Sequence, residues 1–407
     1  MKNKKLIYKN NIQKDYLNVT TNIKLKKKYT NILSNIFDNL DTEQNALHCL
    51  SDKYEFSFRK KDLSKFRRFK TVVIIGMGGS ILGSEALYFF LNKKTKKDFL
   101  FLNDIDHNKL TMLKIKKDLN KVLFIVISKS GNTIETLSNF LSLKIIKKNS
   151  KNIVIISEKN NNPLHLLAKK FNLYYIENKD YIEGRYSVLS EVGMVPAYLM
   201  GLDISKIRKN LQKHFQYQNK NFLRESSIML TNLLQNNKLK NIIFFNYVPE
   251  LDQFLYWAQQ LIAESLGKKG KGFLPIISKA PKDHHSLLQL YLDGPKDKIF
   301  YIFNKKKKFE KKEKMKIKTI VNKIDFLHNK TLNQIKDVQK NAFIKVLKQK
   351  NIPFREFTIK DLDEETIGEF FSYFMLETAI VGKLANINPF NQPAVEQVKM
   401  HTKKLLS

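Results

Sequence analysis

Cysteine is nearly missing from this chain of 407 residues, with Cys49 the only one. An intrachain disulfide and a CxxC zinc or redox site are therefore excluded, and the composition suits a reducing cytoplasm, with the thiol itself inert. Long apolar runs are missing too. The longest, such as residues 72–75 and 122–127, are strand-sized and fall far short of the roughly 18 residues that cross a bilayer. No membrane span is expected. The start, Met1-Lys2-Asn3-Lys4-Lys5, is basic, but charged and polar residues continue through Lys28 without the apolar stretch of a secretory signal. Acidic residues are scarce, 38 against 73 lysines and arginines, for a formal charge of +35. That balance proposes an anionic partner, nucleic acid included. Yet arginine is scarce within the excess, confined to Arg59, Arg67, Arg68, Arg185, Arg208, Arg224 and Arg355, whereas base reading and bidentate phosphate contacts favour arginine. Lysine travels with asparagine and isoleucine along the whole chain, so the runs at 24–28 and 305–314 read as solvated faces and no nucleic-acid partner is expected. A diffuse positive field would still steer an anionic substrate toward a cleft. The histidines, His48, His107, His165, His214, His284, His285, His328 and His401, contain no H-x-H, H-x-x-x-H or H-E-x-x-H. No metal site is expected.

What is present is an alternation. Residues 1–50 read as helical and amphipathic; then apolar, β-rich runs at 71–75, 99–102, 122–127, 153–156 and 173–176 alternate with loops and helical stretches. A second set, 241–245, 299–303 and 354–358, is separated by helical patterns at 251–266 and 364–384. Alternation of this kind predicts an α/β fold with mostly parallel sheets covered by helices. The length exceeds the roughly 250–300 residues at which one core stops growing. The expected division is an N-terminal helical segment (1–50), two α/β domains in series (51–205 and 206–385) and a C-terminal arm and helix (386–407).

Two strand-to-helix loops carry candidate chemistry. Val73-Ile74-Ile75-Gly76-Met77-Gly78-Gly79-Ser80-Ile81-Leu82-Gly83 runs from strand through glycines into helix, where backbone can approach a ligand and free N–H groups attract an anion. A dinucleotide site is the rival, since Asp104 follows the next strand, but G-x-G-x-x-G would require glycine at Ile81. Alone, this segment reads equally as a tight structural turn. Val126-Ile127-Ser128-Lys129-Ser130-Gly131-Asn132-Thr133-Ile134-Glu135-Thr136 is the second loop. Its hydroxyls and the amides of the following helix can hold phosphate oxygens, or the same residues can be an N-cap cluster. Both loops would lie at the carboxyl ends of parallel strands, where open α/β sheets bind ligands.

The G-x-G-G-S and S-K-S-G-x-T-x-E-T segments resemble those of sugar isomerase domains. Further segments resemble the glucose-6-phosphate isomerase family: Gly184-Arg185-Tyr186-Ser187-Val188-Leu189-Ser190, Gln260-Leu261-Ile262-Ala263-Glu264-Ser265-Leu266-Gly267-Lys268, and Asn388-Pro389-Phe390-Asn391-Gln392-Pro393-Ala394-Val395-Glu396-Gln397-Val398-Lys399. Asp283-His284-His285-Ser286-Leu287-Leu288-Gln289 is similar to the D-x-H-S-x-x-Q of the shorter bacterial enzymes. Two positions depart from the pattern. Glu183 stands where a glycine is usual, and Ala394 replaces the glycine before Val-Glu.

The resemblance implies two three-layer α/β/α sugar-isomerase domains and cofactor-independent interconversion of glucose 6-phosphate and fructose 6-phosphate through a cis-enediolate. Such a reaction requires a carboxylate that takes and returns a proton, and a cation for the enediolate oxygen. Glu264 is the candidate base and Arg185 the candidate stabiliser; the resemblance places His285 at ring opening and Lys399 beside the ring oxygen. Gly79, Ser80, Ser128, Lys129, Ser130, Gly131, Thr133, Gln260 and Gln392 are the candidate substrate contacts. A homodimer with shared active sites is implied, in which His285 reaches the partner's site. Two alternatives stay open: a dual phosphoglucose and phosphomannose isomerase, and a non-catalytic sugar-phosphate sensor.

Overall fold

The computed structural model describes residues 5–13, 16–17, 19–306, 314–316 and 322–407. Residues 1–4, and the 305–314 lysine run apart from Lys305, Lys306 and Lys314, lie outside the described residues. In chain order the strands are β1 (Leu6–Asn11), β2 (Thr71–Ile75), β3 (Asp98–Leu102), β4 (Val122–Ile127), β5 (Ile153–Ser157), β6 (Tyr174–Glu177), β7 (Asn241–Asn246), β8 (Leu274–Lys279), β9 (Lys298–Lys305) and β10 (Phe354–Ile359). They form two five-stranded sheets, one in each of two compact units.

The larger unit comprises residues 19–231, 250–272 and 362–407. Its sheet is parallel throughout, in the order β3-β2-β4-β5-β6. Every residue of β2, β4 and β5 is buried. That is why these strands read as near-continuous Val, Ile, Leu and Phe, with Thr71 and Ser157 only at their ends: a parallel sheet is covered on both faces, so neither face is solvated. Val73, Ile75, Phe124, Val126, Ile153 and Ile155 pack with Phe140 and Leu164 from the crossover helices Ile134–Ser142 and Pro163–Phe171. The chain leaves β2 toward β3 on one side and later returns to β4 on the other. Such a switch point opens a crevice at the carboxyl ends of the two central strands.

The smaller unit comprises residues 1–18, 232–249 and 273–361. Its parallel strands β8-β7-β9-β10 repeat the winding of β3-β2-β4-β5, and β1 adds an antiparallel edge on β10. Ile243, Phe245, Phe300, Ile302, Phe343 and Phe354 form its core.

Fold class agrees with expectation, and three details differ. First, the units are interleaved, so the in-series division gives way to discontinuous ones. The Asp252–Leu266 and Glu364–Leu384 helices belong to the larger unit, where Phe254 lies 5.2 Å from Phe370 and Trp257 lies 4.7 Å from Phe371 between ring centroids. Glu364–Leu384 is buried almost all round, and a helix apolar on every side needs more cover than one sheet face. Second, the N-terminal segment is not all helical: residues 6–11 form strand β1, and the long helix is Val19–Asp38. The strand is set by tertiary pairing, with Asn10 opposite Arg355 and its Oδ1 accepting from Arg355 Nε at 3.0 Å. Third, β8 contains Pro275, which hides the strand in the sequence. Because β8 is a sheet edge, the N–H that proline lacks falls on the side with no partner strand. Among the described residues no helix is long and apolar enough to cross a membrane. Cys49 is fully buried, and burial pushes its thiol up to about 12.

One buried carboxyl makes the larger unit sensitive to pH. Glu85, on the Leu82–Phe90 helix, is 4% exposed; Oε1 accepts from Asn103 Nδ2 at 2.8 Å, while Oε2 has no hydrogen-bond partner. Burial raises its pKa from 4.5 to about 7, against a smaller opposing pull from Lys109 and Asn103. Between these values the unfolded chain has lost a proton that the folded chain keeps, so stability falls as pH rises through that window. Glu85→Gln should flatten this slope and stabilise the protein at pH 8 by about 1–3 kcal/mol, read as urea midpoints at pH 5 and pH 8. Equal wild-type and variant slopes would contradict the assignment.

Candidate active site

The glycine loop after β2 is a close-packed junction. Gly78 has φ +51°, and a Cβ there would lie 2.8 Å from Gln260 Nε2. At Gly79 a Cβ would lie 2.1 Å from the Gly184 carbonyl carbon and 2.5 Å from the Arg185 nitrogen. Glycine is thus required at both places, at Gly78 by backbone sign and at Gly79 by contact with the peptide that precedes Arg185. Residues 78–80 form a 3₁₀ turn with Ser80 buried, and the Leu82–Phe90 helix follows.

Held against this junction, Arg185 is 2% exposed and meets four acceptors. Nε donates to Ser265 Oγ at 2.9 Å, Nη1 to Gln392 Oε1 at 2.8 Å, and Nη2 to the carbonyls of Pro389 at 2.7 Å and Asn391 at 3.2 Å. The Nη1 nitrogen also lies 3.6 Å from Glu264 Oε1. Of its five N–H groups one, on Nη1, is uncommitted. Arg185 therefore brings fixed positive charge beside Glu264 while most of its fork serves the fold. Tyr186 packs against Phe390 and its hydroxyl is 3.1 Å from Ser265 Oγ.

Glu264 stands in the last turn of the Asp252–Leu266 helix. Gln260, one turn earlier, donates from Nε2 to Glu264 Oε2 at 3.0 Å, and its own Oε1 is buried without a partner. The Glu264 side chain is 22% exposed, in contrast to 1% for Arg185. A carboxylate held on two sides and open on a third can take a proton from a bound molecule and return it. Lys268, just past the helix end, donates from Nζ to the carbonyls of Ser265 at 3.0 Å and Asn388 at 2.6 Å. Burial and then the neighbouring Arg185 push its pKa down to about 8, with Glu264 opposing.

The 128–133 loop follows β4. Ser128 is buried, with its Oγ 2.8 Å from Thr133 Oγ1; the exposed Ser130 donates to Asn132 Oδ1 at 2.8 Å. Gly131 has φ +63°, and Asn162 Oδ1 occupies the space a Cβ would fill, at 1.8 Å. Thr133 precedes the Ile134–Ser142 helix, yet no side chain caps that helix start. Its first amides remain for an anion, as a phosphate seat requires. The N-cap alternative does not describe this loop. Lys129 pairs with Glu183 at 3.0 Å and approaches Glu158 at 3.9 Å.

Gly79, Ser80, Arg185, Gln260, Glu264 and Gln392 are thus brought together, with the 128–133 loop in the same unit. Lys399 is not joined to them. It lies on the Pro393–Leu406 helix, which buries no residue, and pairs with Glu396 at 2.7 Å. Ala394 is likewise exposed, so its methyl meets no crowding. His285 belongs to the smaller unit, exposed on the short Asp283–Ser286 helix, where Asp283 accepts from Ser286, Ser278 and the Lys279 amide. Its neighbour His284 is engaged by Tyr247 Oη at 2.7 Å. Sequence reasoning missed Ser265, Lys268 and the 389 and 391 carbonyls. Ser265 and Lys268 adjoin Glu264 in its motif, whereas carbonyls leave no sequence signal.

Residues 60–407 match the family model described as phosphoglucose isomerase. Glucose-6-phosphate isomerase of Methanocaldococcus jannaschii is 34% identical over 384 residues, 92% of each chain. A probable glucose-6-phosphate isomerase of Methanococcus maripaludis is 33% identical, covering 88% of this chain and 83% of its own. The crystal structure of a glucose-6-phosphate isomerase from Chlamydia trachomatis shares the fold, with a TM-score of 0.76 at 18% identity over 99% of this chain and 88% of that one. With its glycine junction, buried arginine and helix-end carboxylate in one unit and the family match spanning most of its length, the chain belongs to the phosphoglucose isomerase family.

Proposed function

We propose that this chain interconverts glucose 6-phosphate and fructose 6-phosphate through a cis-enediolate, in the cytoplasm and without a cofactor. The observation that carries the reading is Glu264, partly open and set between Gln260 Nε2 at 3.0 Å and Arg185 Nη1 at 3.6 Å. The phosphate sits on the 128–133 loop, which leaves C1 and C2 of the open chain toward Glu264. Its carboxylate takes the C2 proton of the aldose and returns it to C1, while the proton on the C2 hydroxyl moves to O1. The charge that develops on the enediolate is stabilised by Arg185, whose guanidinium cannot neutralise itself. His285 opens the ring, and Lys399 lies beside the ring oxygen. This Glu264–Arg185 pair would be superfluous in a sensor.

Glu264→Gln keeps the shape and the contact with Gln260 but removes the base. Turnover should fall by about a hundred- to ten-thousand-fold with binding of a substrate analogue largely retained. Solvent deuterium uptake at C2 should fall with it. Undiminished uptake would remove Glu264 from the mechanism.

His285 and Lys399 complete the site in a homodimer. Two features support this assembly: His285 is exposed on its short helix, and the Pro393–Leu406 helix leaves Val395, Val398, Leu405 and Leu406 uncovered along one face. A second copy of the chain is the partner that covers an apolar stripe of this kind. If His285 serves the partner's site, co-refolding Glu264→Gln with His285→Ala makes about half the dimers mixed, each with one intact site, and restores about a quarter of the wild-type sites. Activity equal to the mean of the parents, in a sample shown by mass to contain mixed dimers, would place His285 in its own chain's site or in none.

A further inference from the structure

Lys129 is the second residue of the 128–133 loop, yet its ammonium is occupied by carboxylates. Nζ lies 3.0 Å from Glu183 Oε1 and 3.9 Å from Glu158 Oε1. The three side chains are 21%, 24% and 18% exposed, so solvent screens their charges less than those of the surface lysines. They come from three segments around the loop. Glu158 follows β5; its amide donates to the Lys129 carbonyl at 3.0 Å, and its carbonyl accepts from Nδ2 of Asn162, the residue that braces Gly131. Glu183 precedes Gly184 and Arg185, whose peptide presses on Gly79. The Lys129–Glu183 pair therefore ties the 128–133 loop to the segment that delivers Arg185.

The arrangement is unusual for an anion seat. The loop offers the Ser130 and Thr133 hydroxyls and an uncapped helix start, but its one lysine is drawn to the carboxylates. A phosphate monoester dianion offers three acceptor oxygens, and a lysine on its flexible stem can trade one anionic partner for another. We propose that Glu183 sets the affinity and release rate of the phosphoryl group, by competing with it for Lys129. Substrate and product bind less tightly than the loop alone would hold them. Because the contact is to the non-reacting end of the sugar, it acts equally on ground and transition states and appears in KM and in product release. The inference rests on the assignment of the 128–133 loop as the phosphate seat.

Inorganic phosphate as a competitive inhibitor provides the probe. In Glu183→Gln, which removes the charge at nearly constant volume, the inhibition constant for phosphate and the KM for fructose 6-phosphate should fall together by about three- to tenfold, with no rise in kcat. Glu183→Asp keeps the charge and should retain the wild-type constants more closely. In a Lys129→Met background the Glu183→Gln effect should vanish, as a double-mutant cycle requires when one residue acts through the other. Thermal midpoints of all variants, measured alongside, separate these effects from loss of fold. The loop itself is tested by Ser130→Ala with Thr133→Val, which should weaken phosphate inhibition by roughly tenfold. If that double variant weakens phosphate while Glu183→Gln leaves its inhibition within twofold, or weakens it, the competition is overturned and the phosphate seat stands. If the loop variant leaves phosphate inhibition unchanged, the seat itself is misassigned.

Discussion

A guanidinium taken out of water must be given back its hydrogen bonds, and the organisation of the larger unit follows from how this is done for Arg185. The charge cannot be removed by titration, so burial without acceptors would cost several kcal/mol. The acceptors come from two places distant from it in sequence: Ser265 at the end of the Asp252–Leu266 helix, and the 389–392 arm, which supplies the Pro389 and Asn391 carbonyls and the Gln392 amide. Collecting them fixes the helix end that bears Glu264 and the course of the 388–392 arm together. Gly79 has no side chain because the Arg185 loop already occupies that space. Glu264, partly open, thus owes its position to a neighbour that is almost entirely closed.

The same logic holds for two further arginines. Arg208 donates to the carbonyls of Cys49, Leu189 and Ser51 and lies over the Tyr54 and Phe56 rings. Arg355 is fully buried, with its guanidinium 4.6 Å from the Tyr301 ring centroid. A planar fork can satisfy several backbone carbonyls and stack on aromatics, whereas lysine is a hydrated point charge suited to surfaces.

The strands of the larger unit were legible in the sequence because parallel strands buried on both faces require uninterrupted apolar runs, and β2, β4 and β5 supply them. Edges were not. Leu6–Asn11 carries lysine and asparagine, and Leu274–Lys279 carries proline, the features by which edge strands are kept from further pairing. Glu264, Arg185 and Gln260 could be picked out by motif, since their spacing along helix and loop is local. The partnership of Lys129 with Glu183 could not. It depends on how the turn after β4 meets the segment after β6, and neither residue's neighbours in sequence signal the other.

Interleaving of the two units has a consequence for synthesis. Gln392 lies 207 residues beyond Arg185, and at about 5–20 residues per second the ribosome delivers it roughly 10–40 s later. Through that interval β2–β6 are already available to pair, while the guanidinium, even once Ser265 has been made, lacks its Pro389, Asn391 and Gln392 acceptors and must stay hydrated. The larger unit therefore waits, open at its most polar point, for segments made after nearly the whole of the smaller unit has emerged. Any factor that shields nascent chains meets this protein with its candidate site as the last part to dry.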